Sequence, residues 1–198
     1  MKGVIFNEFC RMITDRFGDE TWEQILEQAP LQTKGGNFIA PKTYPDDDLM
    51  ALVATASKVT GVASELLVTQ YGRYVFPNLA RLYPVFIKPG MTTKSFLKTV
   101  HSVIHVEVRK LYADASLPSF QYEDIAPDRL VMIYQSPRRL CDFAVGLLQG
   151  AAEHFNERIE QTQTTCMKRG DKACRFEIAF EHATPKTLVP ATDDKPRG

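Results

Sequence analysis

Three groups of side chains in the sequence have types and spacings that can do chemistry. Tyr134, Ser136 and Arg138 stand at alternate positions of YQSPR, directly after the run RLVMI. Successive side chains of a strand point to opposite faces, so the three share a face with Leu130 and Met132 before them. That face begins apolar and ends in two hydroxyls and a forked cation. A guanidinium holds a carboxylate through two parallel hydrogen bonds. The pattern therefore asks for an anionic ligand with an apolar body, although a strand end with a surface arginine would look the same.

The second group is thiols. Cys166 and Cys174 flank the turn residues Gly170-Asp171, so a hairpin would bring them together, and Cys141 opens the helical segment that follows YQSPR. Three soft thiolates need a fourth ligand to close a tetrahedral structural metal site. Buried, inert thiols are the competing reading. Cys10 is remote, on an apolar helix, and is most simply core. The third group is His101 and His105, four residues apart on one helical segment and so on one face. The apolar stripe of that segment is Leu97, Val100, Ile104, Val108 and Leu111. His105 lies beside the stripe, and periodicity does not choose between the two histidines. No H-E-x-x-H, G-x-S-x-G, P-loop or dinucleotide fingerprint occurs, and no nucleophile–base pair is evident.

The elements that must position these groups fall into two textures. Up to about residue 112 the segments read as helices: 3–17, a second from near Thr21, and a third in PDDDLMALVATASKVTG with Asp47 or Asp48 as its cap. SELLVTQYGRYVFPNLARLYP reads as one or two more, with Gly72 and Pro77 as interruptions, and 93–112 as a long one. From Leu117 the texture changes to two strands around Ala126-Pro127-Asp128, a helix, and a hairpin around Gly170-Asp171. The expected fold is α+β: a helical lobe over 1–65, then a lobe over 66–182 with an antiparallel sheet packed by helices. The proline-bearing segment 183–198 is expected to lack order.

Composition excludes some classes. The 198 residues are 44% hydrophobic and 24% charged, with 24 basic against 24 acidic residues. That balance makes no electrostatic case for nucleic acid or an anionic membrane. No apolar run approaches the roughly 20 residues that span a bilayer. The first segment has helical periodicity rather than a secretory pattern, so a cytoplasmic protein with reduced cysteines is expected.

Together these pieces resemble the H-NOX family, the heme nitric oxide/oxygen-binding domains related to the heme domain of soluble guanylate cyclase. The resemblance runs from MKGVIFNEF to about Phe180 and is strongest in the Y-x-S-x-R signature. It implies a heme between the two lobes, with Tyr134, Ser136 and Arg138 on the propionates. It implies His105 as the iron ligand, by its spacing to Leu117-Pro118-Ser119-Phe120, with His101 as runner-up and Pro118 pressing on the heme. Ile5, Phe9, Val75, Phe143 and Leu147 are expected to line the rest of the pocket. The cysteines resemble those of members that hold zinc with three cysteines and a histidine, but Gln163 stands at the histidine's position.

The resemblance further implies a non-enzymatic sensor with b-type heme that binds nitric oxide and carbon monoxide. A separate histidine kinase or cyclic-di-GMP enzyme would read its altered surface. Members that bind oxygen carry a tyrosine five residues after the signature arginine, where this chain has Phe143. A zinc/thiol redox regulator built on Cys141, Cys166 and Cys174, and a carrier of an apolar anion, are the rival readings.

Overall fold

The computed structural model describes residues 1–182, and the 183–198 segment lies outside it. Helix α1 spans Gly3–Phe17 and α2 Asp19–Gln28. Helix α3 spans Asp46–Thr60 and α4 Ser64–Leu82. Helices α5, Thr93–Thr99, and α6, His105–Leu111, are joined by a π turn over Val100–Ile104. Strands β1, Ser119–Ala126, and β2, Arg129–Gln135, precede α7, Cys141–His154. Strands β3, Glu157–Thr165, and β4, Cys174–His182, complete a wholly antiparallel sheet of order β1-β2-β4-β3. The α+β expectation and its change of texture near residue 117 agree with this order.

Two expectations are corrected. Neither Asp47 nor Asp48 caps α3, whose first residue is Asp46. Asp48 is instead buried and accepts from the Gln32 and Thr33 backbone N–H groups at 2.7 and 3.0 Å. Satisfying buried donors of a neighbouring loop outweighs capping its own helix. Helix α4 also runs unbroken through Gly72 and Pro77. Pro77 removes the donor that the Arg73 carbonyl would use. The cost is tolerated because α7 packs against that stretch: a Cβ on Gly150 would come within 2.8 Å of the Arg73 carbonyl oxygen. Gly72 and Gly146 meet at the same seam, where a Cβ on Gly146 would lie 2.0 Å from the Thr69 carbonyl oxygen. Only bare Cα atoms allow that approach.

Helices α1–α4 share one buried core that includes Phe6, Phe9, Leu52, Tyr71 and Val75. The sheet and α7 share another, with Leu130, Tyr134, Leu148 and Phe176. Polar bonds tie α1 to α4: Asn78 donates to Glu8 at 2.8 Å, Tyr74 to Asp15 at 2.5 Å, and Tyr71 to the Ile5 carbonyl.

Candidate heme site and thiol cluster

Between the two cores lies a cavity of about 380 Å³. The sequence builds its walls from helical stripes. Leu97, Val100, Ile104, Val108 and Leu111 all face it, so the stripe that reads as a core face lines a pocket instead. The C-terminal half of α4 contributes Phe76, Leu79 and Ala80, and Tyr83 just past its end continues the i, i+3, i+4, i+7 spacing of one helical face. That spacing was available in the sequence as the signal for this wall. Val4 and Ile5 of α1, with Phe143 and Leu147 of α7, close it on another side.

Of the expected lining residues, Phe9 and Val75 are not there. Both are fully buried in the α1–α4 core, and Phe9 packs edge-on against Trp22 and Tyr71. Helix α1 meets the cavity only at its start, so one turn after Ile5 its inner face has passed into the core. Helix α4 is apolar on two sides, and Val75 belongs to the side facing α1.

His105 faces the cavity and His101 does not. His101 instead accepts the Phe120 backbone N–H at its Nδ1, at 3.3 Å. The His105 ring lies 5.7 Å from that of Phe120, and its buried Nδ1 makes no hydrogen bond of normal geometry. Burial pulls the His105 pKa down to about 4, against the nearby Pro118 carbonyl, which favours the protonated ring. The imidazole is therefore neutral at neutral pH, the form that can donate a lone pair to a metal.

Tyr134, Ser136, Arg138 and Pro118 also line the cavity. Strand β2 ends at Gln135, so Ser136 and Arg138 lie in the turn beyond it rather than on a continued strand. Ser136 is buried, and its Oγ accepts the Arg138 backbone N–H at 3.2 Å, which fixes that turn. The Arg138 Nε donates to Asp46 at 2.6 Å, and its Nη1 donates to the Ser116 carbonyl. Burial works to raise the Asp46 carboxyl, but the bond and charge of Arg138, with the Met1 ammonium, hold it below the usual carboxylate range. Burial pushes the Tyr134 phenol up to about 12, so it remains a neutral donor.

The sheet register joins the second site to the first. Tyr134 pairs with Cys174 across β2 and β4. Cys141, Cys166 and Cys174 are all buried, with their sulfur atoms within 4.8 Å of one another. The Cys141 and Cys166 sulfurs are 3.7 Å apart. Burial raises Cys141, to about 12, and Cys174. Burial also works to raise Cys166, but the Lys168 and Arg169 N–H groups and the Cys141 thiol hold it below its ordinary value. The turn that supplies those groups is fixed by the Cys166 backbone N–H donating to Asp171 at 2.7 Å. Gln163 pairs with Phe176, two residues from Cys174, and its amide nitrogen is buried without a hydrogen-bond partner.

A neutral imidazole, an apolar slot and a hydroxyl–guanidinium edge are the parts that an apolar anion carrying a metal would need. The donor set fits a heme. The chain belongs to the Haem-NO-binding family, whose model matches residues 2–163.

Its fold matches the Fe(II) unliganded H-NOX protein from K. algicida at 32% identity and a TM-score of 0.85, over 92% of this chain and 98% of that one. The H-NOX protein from S. oneidensis in the Fe(II)NO state matches at 31% identity and a TM-score of 0.85, over 92% of this chain and all of that one (100%). Among curated proteins, soluble guanylate cyclase 89Db of Drosophila melanogaster is 26% identical over 160 residues, 78% of this chain. The chain spans 23% of that relative's length. No single helix among the described residues is long and apolar enough to cross a membrane.

Proposed function

We propose that this chain is a heme-based nitric oxide sensor. The observation that carries the reading is the convergence of His105 and the Tyr134–Ser136–Arg138 edge on one apolar cavity. His105 would be the axial ligand, and Tyr134, Ser136 and Arg138 would hold the propionates. Pro118, Ile5, Phe143 and Leu147 would pack on the ring. A b-type heme, when bound, supplies a ferrous iron with one coordination position open to nitric oxide or carbon monoxide.

The protein's own groups set the selectivity. The wall from α1, α4 and α7 presents Val4, Ile5, Phe76, Leu79, Ala80, Phe143 and Leu147, none of them a hydrogen-bond donor, and the one hydroxyl at its edge, Tyr83, is engaged by Tyr112. Tyr74 and Tyr71, the nearest hydroxyls on α4, face α1 and are bonded to Asp15 and the Ile5 carbonyl. Oxygen on ferrous iron becomes partly negative and needs a donor in a dry pocket, whereas nitric oxide does not. The reduced, heme-loaded protein is expected to shift its Soret band under nitric oxide and under carbon monoxide, and to keep its ferrous spectrum or oxidise slowly in air. A stable oxygenated spectrum would overturn the selectivity, and a protein that takes up no heme would overturn the whole reading. The output is proposed to be a relaxation of α1 that alters the surface, read by a separate histidine kinase or cyclic-di-GMP enzyme.

The thiol cluster supports a second reading, a zinc or redox site 141–166–174. Three sulfurs at this spacing would take a thiophilic ion such as zinc, or close a disulfide between Cys141 and Cys166. Glutamine is a poor zinc ligand, so Gln163 leaves the fourth position weaker than an imidazole would. Metal analysis of protein purified under reducing conditions is expected to find zinc, and Cys→Ser at any of the three positions to remove it. If the protein holds no zinc and its thiol count is unchanged by mild oxidants, the cluster is structural only.

A further inference from the structure

The segment 112–118, between α6 and β1, forms a strap along the rim of the cavity. Tyr112, Asp114, Ser116, Leu117 and Pro118 all line the cavity. The backbone hydrogen bonds of Tyr112 and Ala115 are local, to Val108 and Tyr112. Beyond these, side chains from across the rim hold it: Arg138 donates to the Ser116 carbonyl, and Lys2 and Thr43 grip Asp114. The Lys2 ammonium donates to both Asp114 carboxylate oxygens, at 2.8 and 3.0 Å, and lies 4.8 Å from the centre of the Tyr112 ring. The Thr43 hydroxyl donates to the same carboxylate at 2.5 Å. Lys2 and Thr43 are themselves joined in a β-bridge, reinforced by the Gly3 N–H to the Lys42 carbonyl at 2.9 Å. Lys2 and Thr43 thus form one anchor that grips one carboxylate.

From this we infer that Lys2 and Asp114 form a latch that holds the strap over the cavity rim and slows exchange of the bound heme. Lys2 is then a positioning residue for the site. The inference rests on the heme reading above. A large planar ligand held by residues from both sides of the rim cannot leave until the strap swings aside, so the strap's opening governs entry and exit. An isolated surface ion pair contributes little. This one differs in that the Lys2 side chain is 16% exposed, so its stem is already packed although Asp114 is 58% exposed, and Lys2 also lies over Tyr112 while Thr43 adds a second donor to the carboxylate. Lys2 and Thr43 hold the Asp114 carboxyl at about 2, so the latch is charged throughout the neutral range. The far end of the strap carries Pro118, whose carbonyl faces the His105 ring. Freeing the strap therefore also loosens the surroundings of the proposed axial ligand.

The test compares Lys2→Met, Asp114→Asn, the double variant and a control, Lys110→Met, whose ion pair with Glu107 lies away from the rim. The heme-loaded proteins are mixed with an excess of a heme-scavenging apoprotein, and the transfer rate is followed. Each single latch variant is expected to lose heme about threefold faster, the size set by one ion pair. The double variant should lose it no faster than either single one, because both remove the same contact. In about 1 M salt, where screening acts over roughly 3 Å, the wild type should approach the variants. In the heme-free proteins, backbone amides of 112–118 should exchange faster in the latch variants than in the control. Unchanged transfer and exchange rates, or additive effects in the double variant, would overturn the latch. If no protein takes up heme but strap exchange still rises in the variants, the latch stands and the heme reading falls.

Discussion

His105→Gly is expected to yield a protein without a Soret band when purified, and imidazole added during heme loading is expected to restore a five-coordinate spectrum. His105 is the histidine that faces the cavity among the described residues. Its neutral imidazole lies among apolar groups, so the glycine variant leaves a slot of the right size and polarity for free imidazole. Loss of a group behind a metal ligand costs roughly 10–100-fold in affinity, and loss of the ligand itself should exceed that. His101→Gly should keep its heme, because His101 is spent on the Phe120 backbone N–H outside the cavity. The reverse result, with heme lost in the His101 variant and kept in the His105 variant, would refute the assignment.

Gly146→Val is expected to destabilise the fold by about 3 kcal/mol or more, at the upper end of overpacking effects. A Cβ at position 146 would lie 2.0 Å from the Thr69 carbonyl oxygen and 2.8 Å from the Arg73 nitrogen, both backbone atoms of α4. Backbone cannot rotate aside as a flexible side chain can, so α4 and α7 must separate. Phe76 and Leu79 on α4 and Phe143 and Leu147 on α7 line the cavity, so heme affinity should fall as well. Urea unfolding of the heme-free variant gives the stability change without a contribution from ligand. A midpoint within error of wild type would show that the seam is softer than its geometry implies.

Much of this protein was legible in its residues because the signals are local. The Leu130–Met132–Tyr134 face of β2 and the helical stripe from Leu97 to Leu111 follow from repeats of two and of about 3.6 residues, and the turn at Gly170-Asp171 brings Cys166 near Cys174. Such repeats act through the backbone, whatever the rest of the chain does. The apolar–anionic character of the ligand follows from residue types alone. Tertiary structure decided what periodicity leaves degenerate. His101 and His105 share a helical face, and only the position of β1 gives one a backbone N–H to bind and leaves the other facing the cavity. Val75 and Phe76 are adjacent apolar residues, and only the packing of α1 on one side of α4 sends the first to the core and the second to the cavity. Pro77 reads as an interruption in isolation, yet α7 packed against the neighbouring turn keeps the helix whole. Cys141 joins the two hairpin cysteines because the sheet and α7 bury a common core. In each case the deciding contact joins residues far apart in sequence, which no local repeat encodes.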